Sequence, residues 1–372
     1  MKRFAVSKIA DINLDLKKEA ARQGRTFDQQ LEVMAASGEI DKSIIDPTRR
    51  NSQGQSVPAY RQVLAAAGID LKGARSAQTV TEAFFRDDDN RILFPYYIES
   101  RYREIQNERQ GELAYADLVA ERIPLTGGQT IAQIPTITEN ASDTDGDPSR
   151  IAEGSEFPVM TIDMGDYVAY LAKFGGRLEA TKEALMGARL PLFDRWLTVF
   201  ARRVLRQKTR FALKLVKNGD GNNNTAPNVN NGSADLTIAS LIKLRQKAAE
   251  YGASPTIVTG DTVAFGKMFE LPILTNPAST APQAQQLLAT GTLPGILGMT
   301  PKIAPIPSVL DGSNQLLAID PERGLIEFYS PDLDLVEYEY LMKRQVEAVQ
   351  VSESIALGKP DNGVGVTLTL NP

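Results

Sequence analysis

Residues 190–217 constrain the fold more than any other stretch. Phe193, Trp196/Leu197, Phe200, Val204, Phe211 and Leu215 recur at steps of 3, 4 or 7 residues, which lays one continuous apolar stripe along a helix. At ~1.5 Å per residue that helix is roughly 40 Å long. Its other faces carry Arg195, Arg202, Arg203, Arg206, Lys208, Arg210, Lys214 and Lys217, and it stops in KNGDGNNNTAPNVNNGS. So dense a row of cations suits a nucleic-acid contact. It also suits an amphipathic helix paired with acids elsewhere, and Asp320, Glu322, Glu327, Asp332, Asp334, Glu337 and Glu339 supply them. The second reading is favoured, within the chain or across subunits.

The elements on either side differ in kind. Residues 1–75 read as short helices between polar loops. Ile9, Ile12, Leu16 and Ala20 form one stripe, Thr26 with Gln29 a capping box, and Ser56 with Pro58 a further helix start that runs to Gly68. These helices look too poor in large apolar residues to build a deep core alone, so they are expected to pack on something else, in this chain or a neighbour. Thr79 with Glu82 makes a second capping box before Phe84 and Phe85. From Ile131 to Met164 two alternating limbs, TIAQIPTIT and FPVMTID, flank the tip ENASDTDGDPSR, which predicts a long two-stranded arm that needs a supporting surface. Residues 235–328 read as a compact α/β unit. The end of the chain is β, with Val364, Val366, Leu368 and Leu370 alternating in its last strand.

Composition narrows the chemistry. The 372 residues include no His and no Cys, which removes imidazole bases, Ser-His-Asp triads, thiolates and the usual zinc ligands. Carboxylates, lysines and oxygen-ligated Mg²⁺ or Ca²⁺ remain. DTDGDPSRIAEG spaces Asp143, Asp145 and Asp147 as a calcium loop would, but Pro148 stands where Gly belongs and Gly154 where Glu belongs. NGDGNNN places Asn218, Asp220 and Asn222 similarly, with Asn223 at the Gly position. Both read as turns. Asp87–Asp89 read as a solvated run of charge, and Gly127/Gly128 and Gly175/Gly176 lack any phosphate-loop frame. No catalytic, cofactor-binding or metal residue is assigned. The chain carries a net charge of −5, no secretory signal and no apolar run long enough to span a membrane.

The order of elements is more specific than any motif. A helical start, an arm, a β-arm, a long helix, an α/β insertion and closing strands together resemble the major capsid protein of tailed bacteriophages, the Hong Kong 97-like fold. The likeness runs from about residue 130 to the C-terminus. IAEGSEFPVMTIDMGDYVAYLAKFGGRLEATKEAL resembles the returning β-arm and the strand into the long helix. KLVKNGDGNNN resembles the turn after it, ILGMTPKIAPIP the axial-domain passage, and VEYEYLMKRQVEAVQVSESIAL the late strands.

The resemblance implies an α+β shell subunit with these divisions: 1–78 a scaffold-like or retained helical region, 79–130 an N-arm, 131–164 the extended β-arm (E-loop) lying over a neighbour, 165–234 peripheral domain with spine helix 190–217, 235–328 axial domain, 329–372 closing strands of the peripheral domain. It implies hexamers and pentamers of the chain, a portal, a cement or decoration protein, and packaged double-stranded DNA in weak non-specific contact. It also implies no enzymatic activity, no cofactor, no membrane, and a place in the virion after assembly in the host cytoplasm. Some relatives are cross-linked from a β-arm lysine to an asparagine. Residues 131–164 contain no lysine, so that linkage is not expected here. An encapsulin-like nanocompartment shell is the nearest alternative, and a soluble Mg²⁺-dependent carboxylate enzyme the alternative from another class.

Overall fold

The computed structural model describes residues 16, 20, 23, 25, 27–51, 54, 56–69, 78–85, 93–107, 112–125, 129–136, 163–187, 189–271, 295–330, 335–341 and 346–371. In chain order its helices are α1 (Phe27–Ala36), α2 (Ala59–Ala66), α3 (Val80–Phe84), α4 (Leu93–Asn107), α5 (Lys182–Gly187), α6 (Leu190–Asn218), α7 (Ile238–Ala249) and α8 (Thr262–Phe269). The strands are β1 (Val119–Pro124), β2 (Ile131–Thr136), β3 (Asp163–Tyr170), β4 (Ala172–Thr181), β5 (Asn228–Asn230), β6 (Ile257–Gly260), β7 (Thr300–Pro301), β8 (Gln315–Ile319), β9 (Leu325–Tyr329), β10 (Leu335–Leu341), β11 (Val346–Gly358) and β12 (Gly365–Thr369). The chain divides into two units, and the division cuts α6 after Leu205 and β11 after Ser354.

The first unit holds the leading helices, β4, the start of α6, and the antiparallel pair β10–β11. Phe27, Leu31 and Met34 step along one side of α1, while α2 contributes Tyr60, Val63 and Leu64. Both rows enter one buried cluster with Leu93, Tyr97 and Tyr102 of α4 and with Leu190, Phe193, Leu197, Ala201 and Val204 of α6. The leading helices are therefore covered within this chain, and the core they were expected to lack is completed by α4 and α6. Aromatic contacts knit it: Phe27 meets Tyr96 edge-on at 4.9 Å, and Phe94 lies 5.7 Å from Phe193. The capping box of Thr79 and Glu82 is present at the start of α3, whereas Thr26 of the first box lies outside the described residues.

A polar seam runs beside this core. The Asp28 carboxylate accepts hydrogen bonds from the Tyr60 N–H (2.8 Å) and the Tyr96 hydroxyl (2.8 Å), so one side chain ties α1 to both α2 and α4. It also caps α2, whose N-cap Pro58 offers no side-chain acceptor. Glu104 accepts from the Tyr60 hydroxyl, Arg61 (2.6 Å) and Arg101 (2.8 Å). Arg101 continues to Asp194 on α6 (2.8 Å), which also accepts from the Tyr97 hydroxyl at 2.7 Å.

The second unit holds a five-stranded sheet in the order β5-β12-β8-β6-β7. Helices α7 and α8 cover one face through Leu241, Leu244, Ala264 and Met268, which join Val258, Leu316, Ala318, Val366 and Leu368. The alternation expected of the last strand is present, but β12 pairs with β8 and β5 and so belongs to this sheet. In the same unit β1 runs parallel to β9, which pairs antiparallel with the end of β11. β2 and β3 form an antiparallel ribbon. Its inner residues Ala132 and Ile134 pack on Phe328 and Ala356. Gly358 makes that approach feasible, since a Cβ there would sit 2.2 Å from Ile134 Cδ1. The tip of the expected arm, 137–162, lies outside the described residues.

The long helix corrects the single-stripe reading. Trp196 is 41% exposed, whereas the buried row of the first half is Leu190, Phe193, Leu197, Ala201 and Val204. Phe193→Ala should cost about 3–5 kcal/mol in urea unfolding and Trp196→Ala no more than about 0.5 kcal/mol; equal costs would contradict the assignment of faces. A second expectation concerns pH. Burial, with Glu32 and Glu104 nearby, pushes the Asp28 carboxyl up to about 6 against the hydrogen bonds that favour its charge. The folded chain thus holds a proton between about pH 4 and 6 that the unfolded chain releases. This contribution is complete below pH ~4 and lost as pH rises through 6, up to about 3 kcal/mol in all. Asp28→Asn should flatten that slope and raise stability at pH 7, measured by urea unfolding of dissociated subunits from pH 4 to 7.

Candidate assembly surfaces

The residues that sequence reasoning weighed for metal or phosphate chemistry have other occupations where they are described. In the NGDG turn, Asp220 accepts from Asn222 N–H and, through its other oxygen, from Lys359 N–H at 2.9 Å. Asn224 accepts from Asp220 N–H and donates to the Lys359 carbonyl at 2.7 Å. The loop is spent on holding the chain after β11. Lys359 is fully buried and its ammonium donates to the Val216 carbonyl in the last turn of α6 at 2.9 Å, where the helix dipole favours a cation. Burial pulls its pKa down to about 8 against the pull of Asp220 and Asp361. A Cβ on Gly175 would lie 2.1 Å from the Val351 carbonyl oxygen, so this glycine serves the contact of β4 with β11. Asp87–Asp89, Gly127/Gly128 and Asp143, Asp145 and Asp147 lie outside the described residues.

Among the described residues, three of the acids expected for the cations of α6 are engaged elsewhere. Glu327, fully buried on β9, takes both oxygens' bonds from Arg122 of β1 at 3.0 and 3.1 Å, and Arg122 stacks on Tyr329. Glu339 pairs with Arg177 at 3.4 Å, and Asp320 caps the turn after β8 and accepts from Ser254 N–H. Arg206 instead pairs with Glu112 at 2.7 Å, Lys208 lies over the Tyr115 ring, and Arg210 and Lys217 donate to the carbonyls of Ile306 and Val309. Asp332, Asp334 and the side chain of Glu337 lie outside what is described. The missed partners share a feature: Glu112, Ile306 and Val309 sit far away in sequence, two of them offering backbone oxygens that composition cannot flag.

Among the described residues, exposed apolar side chains include three groups, each within one unit. On the first half of α6, Leu192, Trp196 and Val199 are 41–45% exposed. At the base of the ribbon, Ile131 and Tyr170 are directly opposed across the two strands, and Tyr170 is 72% exposed. In the segment after β7, Ile303 and Ile306 are exposed. Single exposed apolar residues are ordinary, but grouped ones mark contact surfaces. Among the described residues no helix is long and apolar enough to cross a membrane.

Solved structures with a similar course include the capsid of the native GTA particle (TM-score 0.48, 14% identity, covering 71% of this chain and 93% of that one). Mycobacterium phage Che8 gives a TM-score of 0.46 at 15% identity over 70% and 93%. The holo-SrpI encapsulin complex from Synechococcus elongatus PCC 7942 gives 0.40 at 13% over 67% and 84%. No curated protein matches the sequence. A family model described as phage capsid protein matches residues 166–362, which run from within β3 to just beyond β11 and amount to more than half of the chain. The chain belongs to the phage capsid protein family.

Proposed function

We propose that this chain is the major capsid protein of a tailed bacteriophage, with a Hong Kong 97-like fold, and that it assembles through hexamers and pentamers into a closed head around double-stranded DNA. The observation that carries the reading beyond the family is the set of separate apolar surfaces on α6, the ribbon and the 303–306 segment. A subunit with several unlike contact faces forms heterologous contacts, and such contacts close into rings and shells. In this reading α6 with β10 and β11 forms the peripheral domain, and the sheet of β8 with α7 and α8 the axial domain. The ribbon of β2 and β3 is the base of the arm that crosses to a neighbour. The leading helices are a permanent layer of the subunit, because they share the buried cluster of α6. A portal and a decoration protein complete the head, which is assembled in the host cytoplasm.

An encapsulin-like compartment is the second reading, favoured by the likeness to one such shell. Packaged genome in purified particles decides for the phage head, and its consistent absence decides for the compartment. Light scattering and electron microscopy should show particles of tens of nanometres; a stable species near the 40.6 kDa chain mass would overturn both shells. Boiled particles on a denaturing gel should run as single chains, because residues 131–164 contain no lysine. Covalent ladders would contradict that.

A further inference from the structure

The first half of α6 presents two unlike faces. Leu190, Phe193, Leu197, Ala201 and Val204 are buried among the leading helices. On the opposite side Leu192, Trp196 and Val199 follow one another at helical spacing, and Arg195 and Arg203 are exposed beside them. The helix's one acid, Asp194, is turned to Arg101 and Tyr97, so it does not neutralise this face. We infer that this face, Leu192–Trp196–Val199 with Arg195 and Arg203, is the seat of a second copy of the chain, which meets it with a different, acidic surface.

Composition and charge select that occupant. Tryptophan and arginine around a small apolar centre make up the residue set enriched where proteins meet, and three adjacent apolar side chains gain little against a solvated phosphate backbone. Two copies of this face cannot meet each other, because the arginines would oppose arginines; the contact must be heterologous. The remainder of the chain is acidic in sum. Leu190–Asn218 hold eight Lys and Arg against Asp194, a net +7 in a chain of −5, which leaves −12 on the remaining residues. The inference rests on the shell reading and adds to it which face is covered and by what kind of surface.

Trp196 is the chain's only tryptophan and reports on the face directly. Its emission should shift to the blue and its quenching by acrylamide fall several-fold when subunits enter particles, equally in filled and emptied ones. Arg195→Glu/Arg203→Glu and Leu192→Ser/Val199→Ser should each raise the concentration needed for assembly at least about tenfold, a loss of ~1.4 kcal/mol per contact. Both pairs are exposed, so subunit melting should stay at the wild-type value. Particles in which Trp196 is as quenchable as in free subunits overturn this inference and leave the shell reading standing. Shielding seen only in filled particles and lost on emptying assigns the face to nucleic acid and overturns it. Failure of wild-type chain to form any particle overturns the shell reading and this inference with it.

Discussion

Everything in the first unit depends on how one helix divides its surface. The row Leu190, Phe193, Leu197, Ala201 and Val204 is desolvated by α1, α2 and α4, and each large member of such a row is worth about 1.5–3 kcal/mol of transfer. That burial fixes the rotation of α6 about its axis. Once the rotation is fixed, Trp196 and Val199 have no choice but to face away, and the arginines at 195 and 203 with them. The exposed face is a consequence of the buried one.

The polar seam refines what apolar burial leaves loose. A hydrophobic cluster tolerates sliding; a bidentate arginine does not. Arg101 spans Glu104 on its own helix and Asp194 on α6, and Tyr97 donates to the same carboxylate, so α4 and α6 are held in register along their axes as well as in contact. Burial would raise the Glu104 carboxyl, yet bonds from Tyr60 and Arg101 and the charge of Arg61 hold it below its usual value. Asp28, a few residues of packing away, meets only neutral donors and like charges and moves the other way. One seam thus contains a carboxylate that prefers its charge and one that resists it, set apart by whether a guanidinium reaches them.

Local rules were enough for much of this. The Thr79–Glu82 box, the α2 start at Pro58, the extent of α6 and the alternation of β12 all follow from side chains within a few residues of one another. What resisted reading were choices made by distant partners. A helix with apolar residues on two sides does not say which side is buried, so Trp196 and Leu197 could be joined in one stripe until α1 and α4 were placed. The leading helices looked too thin for a core because their complement, Tyr97, Tyr102 and Phe193, lies 30 to 160 residues further on. The acids between 320 and 339 nearly matched the cations of the long helix in number, yet Glu327 is taken by Arg122 of the adjacent strand, which is nearer in space and already in the same sheet.

The distribution of charge follows from the same competition. Glu327 is committed to Arg122, Asp361 to Arg323 at 2.9 Å, and Asp220 and Asp320 to backbone N–H groups that shape the turns after α6 and β8. Acids in the second unit are thereby used to organise loops and strand ends, where a carboxylate can satisfy several donors at once. Arg195 and Arg203 on the first half of α6 are exposed, because a helix projects such side chains outward past its own satisfied backbone. A chain that is mildly acidic overall therefore presents a basic helix face, and its excess of acid lies on the other residues.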